Sequence, residues 1–576
     1  MMIKQLIIKN FRNLKNADLK FGKNTLLVGS NNVGKSTVLE ALDLLLGPDR
    51  LNSLDAVNEH DFYGSRYLDK DDQPIPIEIE TRLYGLNDRQ KRLFKDHLEY
   101  WDTQDNKFVE MQEGLDEERF HLDCLRVAFK AYYDREEDEF KTETYFLNPE
   151  LPNSESTNKF IALTRNDKRE IGYLFLRVLR TGSRALSLER GSLLNIILDL
   201  KEIKTSSWET ILSKLKGAGN ELDKDTGFRD VLSKIEDKVK KYTPLRSGED
   251  KSSQFEITNL TRKNLRSSLN IFVGTEPSNE LVPFRSLGTG TINVLLLALM
   301  SFIADLKREN EKNVIFSMEE PEIALPPYTQ RRVIDELFEM SDQALVTSHS
   351  PYVTERFINN NILVLKNDGE KISGHNVDFG PFKEKIFRRD FRTRFAEGLL
   401  SKGIIAVEGV SDELTLYATS QKLPEFCSNY IHLDIIGMVV IDNEGGGNIN
   451  NIGQFFKSLN IKTYAFYDKG QQVSKDAFDS IKEHDHKSLE KLLVEEIPEN
   501  VLKEFFDDCK KYPDYPQGTT LKNNTKDDVC AILEQRKREG YSAKLLSFCK
   551  KEADLPQTIV DFLKNINNDL TQSKTK

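Results

Sequence analysis

Gly29-Ser30-Asn31-Asn32-Val33-Gly34-Lys35-Ser36 is the stretch whose reading organises the rest of this chain. Before it, Ile3 to Ile8 and Thr25 to Val28 have the composition of short strands, and from Ser36 to Leu46 apolar residues return at helical spacing. Strand, glycine-bearing turn and helix is the setting in which such a segment wraps phosphate. Gly29 and Gly34 let the backbone N–H groups of the turn, those of Asn31 and Asn32 included, face an anion. Lys35 is placed to reach the β and γ phosphates and Ser36 to offer its hydroxyl to Mg²⁺, with Thr37 completing the set at the helix start. A nucleotide is the expected ligand.

Two further segments suit the same site. Val314-Ile315-Phe316-Ser317-Met318 is an apolar strand ending on Glu319 and Glu320. On this reading Glu319 holds Mg²⁺ through water and Glu320 polarises the attacking water, although paired acids after a strand are also an ordinary solvated strand end. Thr347-Ser348-His349 is a second strand end, its histidine able to sense the γ-phosphate. Ahead of both, Ser286-Leu287-Gly288-Thr289-Gly290 opens a long apolar helix, and Ser286, Gly288 and Gly290 could present N–H groups to an anion.

A different chemistry is written past residue 400. Ile404-Ile405-Ala406-Val407 ends on Glu408-Gly409, with Ser411 as a helix N-cap candidate and Asp412 in the first turn. Tyr464-Ala465-Phe466-Tyr467 ends on Asp468, followed by Lys469-Gly470, and Glu490 heads a later helix. Carboxylates converging from neighbouring strand ends can hold Mg²⁺ or Mn²⁺ for phosphodiester cleavage. Each acid taken singly is as well explained by a solvated strand end.

The chain has 576 residues, enough for three or four units at about 100–200 residues each. The pattern divides it into an ATPase N-terminal part at 1–160, a helical insert at 161–254, an ATPase C-terminal part at 255–380 and a basic linker at 381–402. An α/β unit follows at 403–500, then a helical part at 501–576. The insert is read as helical from Ile171, Leu174, Phe175, Val178 and Leu179 onward, and Ile431 to Ile436 as a strand. Lys383, Lys385, Arg388, Arg389, Arg392 and Arg394 make either a solvated linker or a track for the DNA backbone. The net charge of −11 argues against a uniformly basic nucleic-acid binder. Five cysteines without paired spacing indicate neither zinc nor disulfides, and no run approaches a membrane span of about 20 apolar residues. Together with the absence of a secretory signal at Met1 to Asn10, this makes a cytoplasmic protein without a membrane partner the expectation.

The first half resembles an ABC-type ATPase head of the chromosome-maintenance and recombination-repair class. In that class the segment Ser286 to Gly290 completes the site of a second head, which implies a homodimer or tetramer, with the helical insert as dimerisation element. The order Glu408-Gly409, Asp468, Glu490 resembles the Toprim fold. The whole arrangement, α/β with an ABC head, a Toprim domain and a helical tail, looks like the OLD (overcoming lysogenization defect) family of ATP-linked nucleases, and Arg184-Ala185-Leu186-Ser187 resembles a segment of that family's heads.

Carried over by position, the resemblance makes Glu408, Asp412, Asp468 and Glu490 metal ligands, with Glu408 also a possible base. Lys544 would stabilise a pentavalent phosphate, or else is a surface lysine. Two departures bear on the chemistry: the usual Asp-x-Asp reads Asp468-Lys469-Gly470, leaving either Asp442, Glu444 or Glu490 to compensate or one metal to bind weakly, and the acid after Glu408 is the short Asp412. A third, Pro326-Pro327 in place of His-Pro, is expected to alter a loop more than the chemistry. The implied function is a metal-dependent DNA endonuclease gated by ATP in anti-phage defence, as in Gabija and retron-associated relatives. Its implied partner is a reverse transcriptase with an RNA–DNA hybrid, or a helicase-like protein. The alternative is an ATP-operated DNA clamp with an inactive Toprim domain.

Overall fold

The computed structural model describes residues 1–48, 57–102, 104–105, 107–109, 119–147, 161–177, 192–201, 210–215, 226–242, 261, 272–274, 280–357, 361–378, 395–443, 449–511, 522 and 524–572. The basic cluster from Lys383 to Arg394, Arg184 to Ser187, Glu444 and the strand expected at Phe255 to Leu260 lie outside them. The chain forms two compact units, one of Met1, Leu46–Ala56 and Leu163–Ala344, the other of Met2–Leu45, Val57–Ala162 and Leu345–Lys576.

In the second unit, Met2–Phe11 lies antiparallel between Leu14–Lys20 and Ile77–Tyr84, and Phe120–Asp134 pairs beyond Ile77–Tyr84. Burial alternates from Leu6 to Ile8 and from Ile77 to Ile79, and an irregularity in the pairing between Ile3 and Gln5 puts Ile3 on the buried side as well. Asn24–Val28 is buried throughout and runs parallel to Asn361–Asn367, as expected of a strand covered on both faces. It delivers the chain to the glycine turn and to the helix Lys35–Leu46.

The first unit contains Ile315–Glu319, paired in parallel with Tyr173–Arg177. Here the helical reading of Leu174 and Phe175 is corrected. The helix Arg165–Ile171 stops at Gly172, which takes φ +81°, where an added Cβ would sit 2.0 Å from Asn313 O. The chain then leaves as a strand whose apolar run is buried on both faces, a pattern that periodicity alone does not separate from a buried helix. The helix Thr289–Glu309 is long and apolar enough to cross a membrane by length and composition. It buries one face, with Leu296, Met300, Ile303 and Ala304, leaves Val294 and Phe302 exposed, and Asn293 Nδ2 donates to Ile323 O at 2.7 Å.

The last third contains a four-stranded parallel sheet in the order Met438–Asp442, Gly403–Val407, Lys462–Tyr467, Ser480–Glu483. Parallel strands put their C-terminal ends at one edge, the usual place for a site in an α/β sheet. The segment Ile431 to Ile436 is not its strand. His432 caps a short helix, Leu433–Ile436, Gly437 ends it at φ +81°, and the strand begins at Met438. The C-terminal helices share the sheet's core: Leu502, Ile532, Leu545, Ile559 and Leu563 pack in one cluster with Ile405, Leu416 and Phe466. The division at residue 500 therefore separates parts of a single core.

Candidate nucleotide and metal-ion sites

The glycine turn has the geometry its sequence calls for. Gly29 and Gly34 stand at φ +148° and +111°, and a Cβ on Gly34 would lie 2.5 Å from Leu14 Cδ2. Asn32 also takes positive φ, which asparagine tolerates. Lys35 Nζ donates to Gly29 O at 2.8 Å and Ser30 O at 3.0 Å, so its ammonium lies over the turn. Asn13, which follows the first strand, accepts from Thr37 Oγ1 at 2.8 Å and donates to Asn32 O at 2.9 Å, bracing both ends of the loop. Thr37 thus serves the loop through Asn13. Arg12 pairs with Glu40 and with Asp61 at 2.8 Å, a tie visible only in three dimensions. His349 belongs to the same unit. Burial, and then the charge of Lys35, hold its imidazole below the usual histidine range.

The other ATP-site candidates lie in the first unit. Glu319 ends the Ile315–Glu319 strand, and Glu320 follows at φ +47°. Ser286 closes a short 3-10 turn, and Gly288 caps the Thr289–Glu309 helix. Gly290 admits no side chain, because a Cβ would meet Ala324 O at 2.6 Å. That close approach seats the helix start on the loop that follows Glu320. Pro327 occupies the first helical turn of Pro327–Met340, where its missing N–H costs nothing.

The carboxylate cluster forms at the C-terminal edge of the parallel sheet. Val407 is in register with Asp442, and Tyr467 with Glu483, so Glu408, Asp442, Asp468 and His484 occupy the same edge. Glu408 Oε1 accepts from the Asp468 backbone N–H at 2.8 Å, and Oε2 accepts from Gln471 Nε2 at 3.3 Å. Asp412 is buried at the head of the helix Val410–Phe426 and accepts from Gly409 N–H at 3.1 Å. Burial, reinforced by the charges of Asp468, Glu408 and Glu490, pushes its carboxyl up to about 8. Glu408 is raised chiefly by burial, with the Asp468 N–H opposing and the Asp468 charge adding. Ser411 is not the N-cap; Gly409 is, and Ser411 Oγ donates to Lys537 O at 2.7 Å.

These residues fit a hard divalent cation. Glu490 is buried, one of its oxygens, Oε2, has no hydrogen-bond partner among the described residues, and four carboxylates repel one another where a cation would relieve them. As the side chains stand, no group of three or more histidine, cysteine, aspartate or glutamate residues among the described residues is drawn together closely enough to hold a metal ion. Beside the cluster is a cavity of about 1130 Å³, lined by Glu408, Asn443, Gln471, Lys475 and Glu483 among others.

The structure sets two of the expected positions among specific neighbours. Lys544 pairs with Asp508 Oδ2 at 3.1 Å and lies over the Tyr541 ring. Lys537 stands at the cluster, its Nζ 3.2 Å from Glu490 Oε1. Nothing in the contiguous sequence separated the two, since the choice depends on which way a turn faces. At the position that lacks the second acid, Gly470 N–H donates to Glu483 Oε1 at 2.9 Å, so the adjacent strand brings a carboxylate there. Asp442, the compensating acid considered from sequence, is buried at the end of the neighbouring strand. Gly470 stands at φ +94°, a conformation costly for any residue with a Cβ. Gly470→Asp is therefore expected to lower stability by about 1–2 kcal/mol in urea unfolding, and an unchanged unfolding midpoint would contradict this.

Comparison with known proteins places these sites in context. Residues 1–354 match the AAA ATPase domain family, and residues 399–469 match the overcoming lysogenization defect protein-like Toprim domain. The Old nuclease of Escherichia phage P2 is 22% identical over 480 residues, covering 79% of this chain and 75% of that protein. Endonuclease GajA of Bacillus cereus strain VD045 is 22% identical over 440 residues, covering 72% of this chain and 67% of that protein. Among solved structures, an SMC head bound to the C-terminal winged-helix domain of ScpA aligns with 66% of this chain and 99% of its own, at 15% identity and a TM-score of 0.36.

Proposed function

Because the chain belongs to the AAA ATPase domain family and joins that domain to a Toprim domain of the OLD type, we propose that it is an ATP-binding, divalent-metal-dependent DNA endonuclease. The observation that carries this reading is the crowding of Glu408, Asp412, Asp468 and Glu490 at one edge of a parallel sheet, beside an open cavity. The names of the phage P2 and Bacillus cereus relatives support the same reaction class.

In this reading Glu408, Asp412, Asp468 and Glu490 hold Mg²⁺ or Mn²⁺. When bound, the cation would supply a nucleophile from water at neutral pH and would offset charge on the scissile phosphate. Glu408, pinned by Asp468 N–H and Gln471, keeps its carboxylate facing the cavity. Lys537 offers a positive charge at the same cluster to the phosphate in its transition state. Glu483 stands in for the acid absent at Gly470.

The ATPase part gates or senses. Gly29, Asn31, Asn32, Gly34, Lys35, Ser36 and Thr37 take the phosphates and Mg²⁺, Glu319 and Glu320 are the acids for hydrolysis, and His349 senses the γ-phosphate. Ser286, Gly288 and Gly290 serve the site of a second copy, making the active form a homodimer or tetramer. DNA is the substrate, with the basic stretch Lys383 to Arg394 as its track, and the setting is anti-phage defence with a helicase-like or reverse-transcriptase partner.

The test is supercoiled plasmid incubated with the purified chain in Mg²⁺ or Mn²⁺, with and without ATP, beside Lys35→Ala. Nicked or linear product in wild type, with an altered ATP response in Lys35→Ala, is the expected result. DNA binding and ATP turnover without a cut under either metal would instead support the clamp.

A further inference from the structure

A second cavity, of about 130 Å³, lies in the first unit where the parallel strands Ile315–Glu319 and Tyr173–Arg177 begin. Lys168, Arg169, Lys307 and Lys312 line it, with Leu174 and Leu200 among its apolar walls, and no carboxylate does so among the described residues. Glu319 stands at the other end of its strand, about 13 Å away at the rise of a parallel strand. The cavity is therefore separate from the acids proposed for ATP hydrolysis.

The burial of these cations is what helix ends do not require. Lys168 is in the last turn of Arg165–Ile171 and Lys307 in the last turn of Thr289–Glu309, where positive charge suits the helix dipole. That role is met from the surface, as by the exposed Arg308, which donates to Glu339 O. Lys168 and Lys307 are instead only 2% and 6% exposed. Lysine is seldom buried so deeply without an opposite charge beside it, yet Lys307 Nζ reaches only Gly172 O, at a long 3.3 Å. The carboxylates whose charge it feels are engaged elsewhere: Glu170 lies 3.5 Å from Lys312, and Asp342 Oδ2 accepts from Val314 N–H at 2.8 Å. Burial, and then the charge of Lys312, push the Lys307 ammonium down to about 8, which leaves it mostly protonated at neutral pH. Positive charge is thus concentrated around an apolar-walled void.

We propose that this cavity binds a small tetrahedral oxyanion of the inorganic phosphate class, held by Lys168, Lys307 and Lys312, with the exposed Arg169 as its outermost cation. The volume sets the class: it equals a few waters at about 30 Å³ each, room for one oxyanion and too little for a nucleoside. Lysine holds phosphate as a point charge, and apolar walls limit the screening of that charge by water. The site is distinct from the glycine turn, and nothing in it depends on the nuclease reading.

The test is a calorimetric titration of the full chain with inorganic phosphate, at an ionic strength held constant with sodium chloride. Lys35→Ala is the background, so that the glycine turn contributes little. One saturable site is expected, and ATP is expected not to displace the anion. Adding Lys307→Met, which keeps an apolar stem, is expected to weaken phosphate binding roughly 10–100-fold, the worth of one charged hydrogen bond. The same change removes a buried charge, so the unfolding temperature in phosphate-free buffer is expected not to fall. Lys312→Gln, at a half-buried position, is expected to weaken binding without disturbing the core. The absence of saturable phosphate binding overturns the proposal, as does unchanged affinity in a folded Lys307→Met chain. Where Lys307→Met does not fold, unchanged affinity in Lys312→Gln overturns it. Displacement by ATP would give the cavity to the terminal phosphate of a nucleotide and overturn its assignment to the free anion. None of these readouts uses DNA cleavage, so a chain that does not cut DNA leaves them unaffected.

Discussion

Glu408→Gln is expected to reduce plasmid cleavage by about 10²–10⁴-fold while leaving ATP turnover roughly unchanged. Gln is nearly isosteric and retains an oxygen to accept the Asp468 N–H, so the loop after the Lys462–Tyr467 strand keeps its anchor. What is lost is the charge at the mouth of the cavity and one anionic ligand for the cation. Glu408 ends a strand buried along its whole length, Gly403–Val407, which makes its backbone position insensitive to the substitution. Cleavage at the wild-type rate by Glu408→Gln would remove the Toprim site from the reaction. Simultaneous loss of ATP turnover would indicate damage to the fold instead.

Lys537→Ala is expected to cost about 10²–10³-fold in cleavage, whereas Lys544→Ala should stay within a few-fold of wild type. Burial on its own would lower the Lys537 pKa, but the charge and hydrogen bond of Glu490, with Glu534 and Asp412, outweigh it and keep the ammonium protonated. Ser411 holds the Lys537 carbonyl, which ties the lysine to the helix that carries Asp412. Lys544 faces Asp508 and the Tyr541 ring, a contact that joins two helices of the same core. Single-turnover cleavage at saturating metal distinguishes the two. If Lys544→Ala proved the damaging change and Lys537→Ala the mild one, the lysine assignment would have to be exchanged.

Much of the site was legible because its chemistry is written in contiguous windows. A phosphate turn needs glycines, a lysine and a hydroxyl at set offsets, and all are within Gly29 to Ser36. Strand-end acids stand out as an apolar run that stops on a carboxylate, which located Glu319, Glu408 and Asp468. The misreadings have local causes. Leu174 and Phe175 belong to an apolar run that suits a buried helix or a buried strand equally, and the deciding feature was Asn313 O lying where a Cβ on Gly172 would be. At Ile431 to Ile436, a histidine cap and Gly437 turned an apolar run into one turn of helix.

The sequence by itself determined that the chain has a phosphate-binding turn and a set of strand-end carboxylates, because both depend on residue type at short spacing along one backbone. Tertiary structure alone decided which charged side chains stand beside those carboxylates. Lys537 and Lys544 are alike in composition, and His484 has no motif around it. Their surroundings follow from the direction a side chain takes once helices and strands distant in sequence share a core, and from a parallel register that sets His484 level with Asp468.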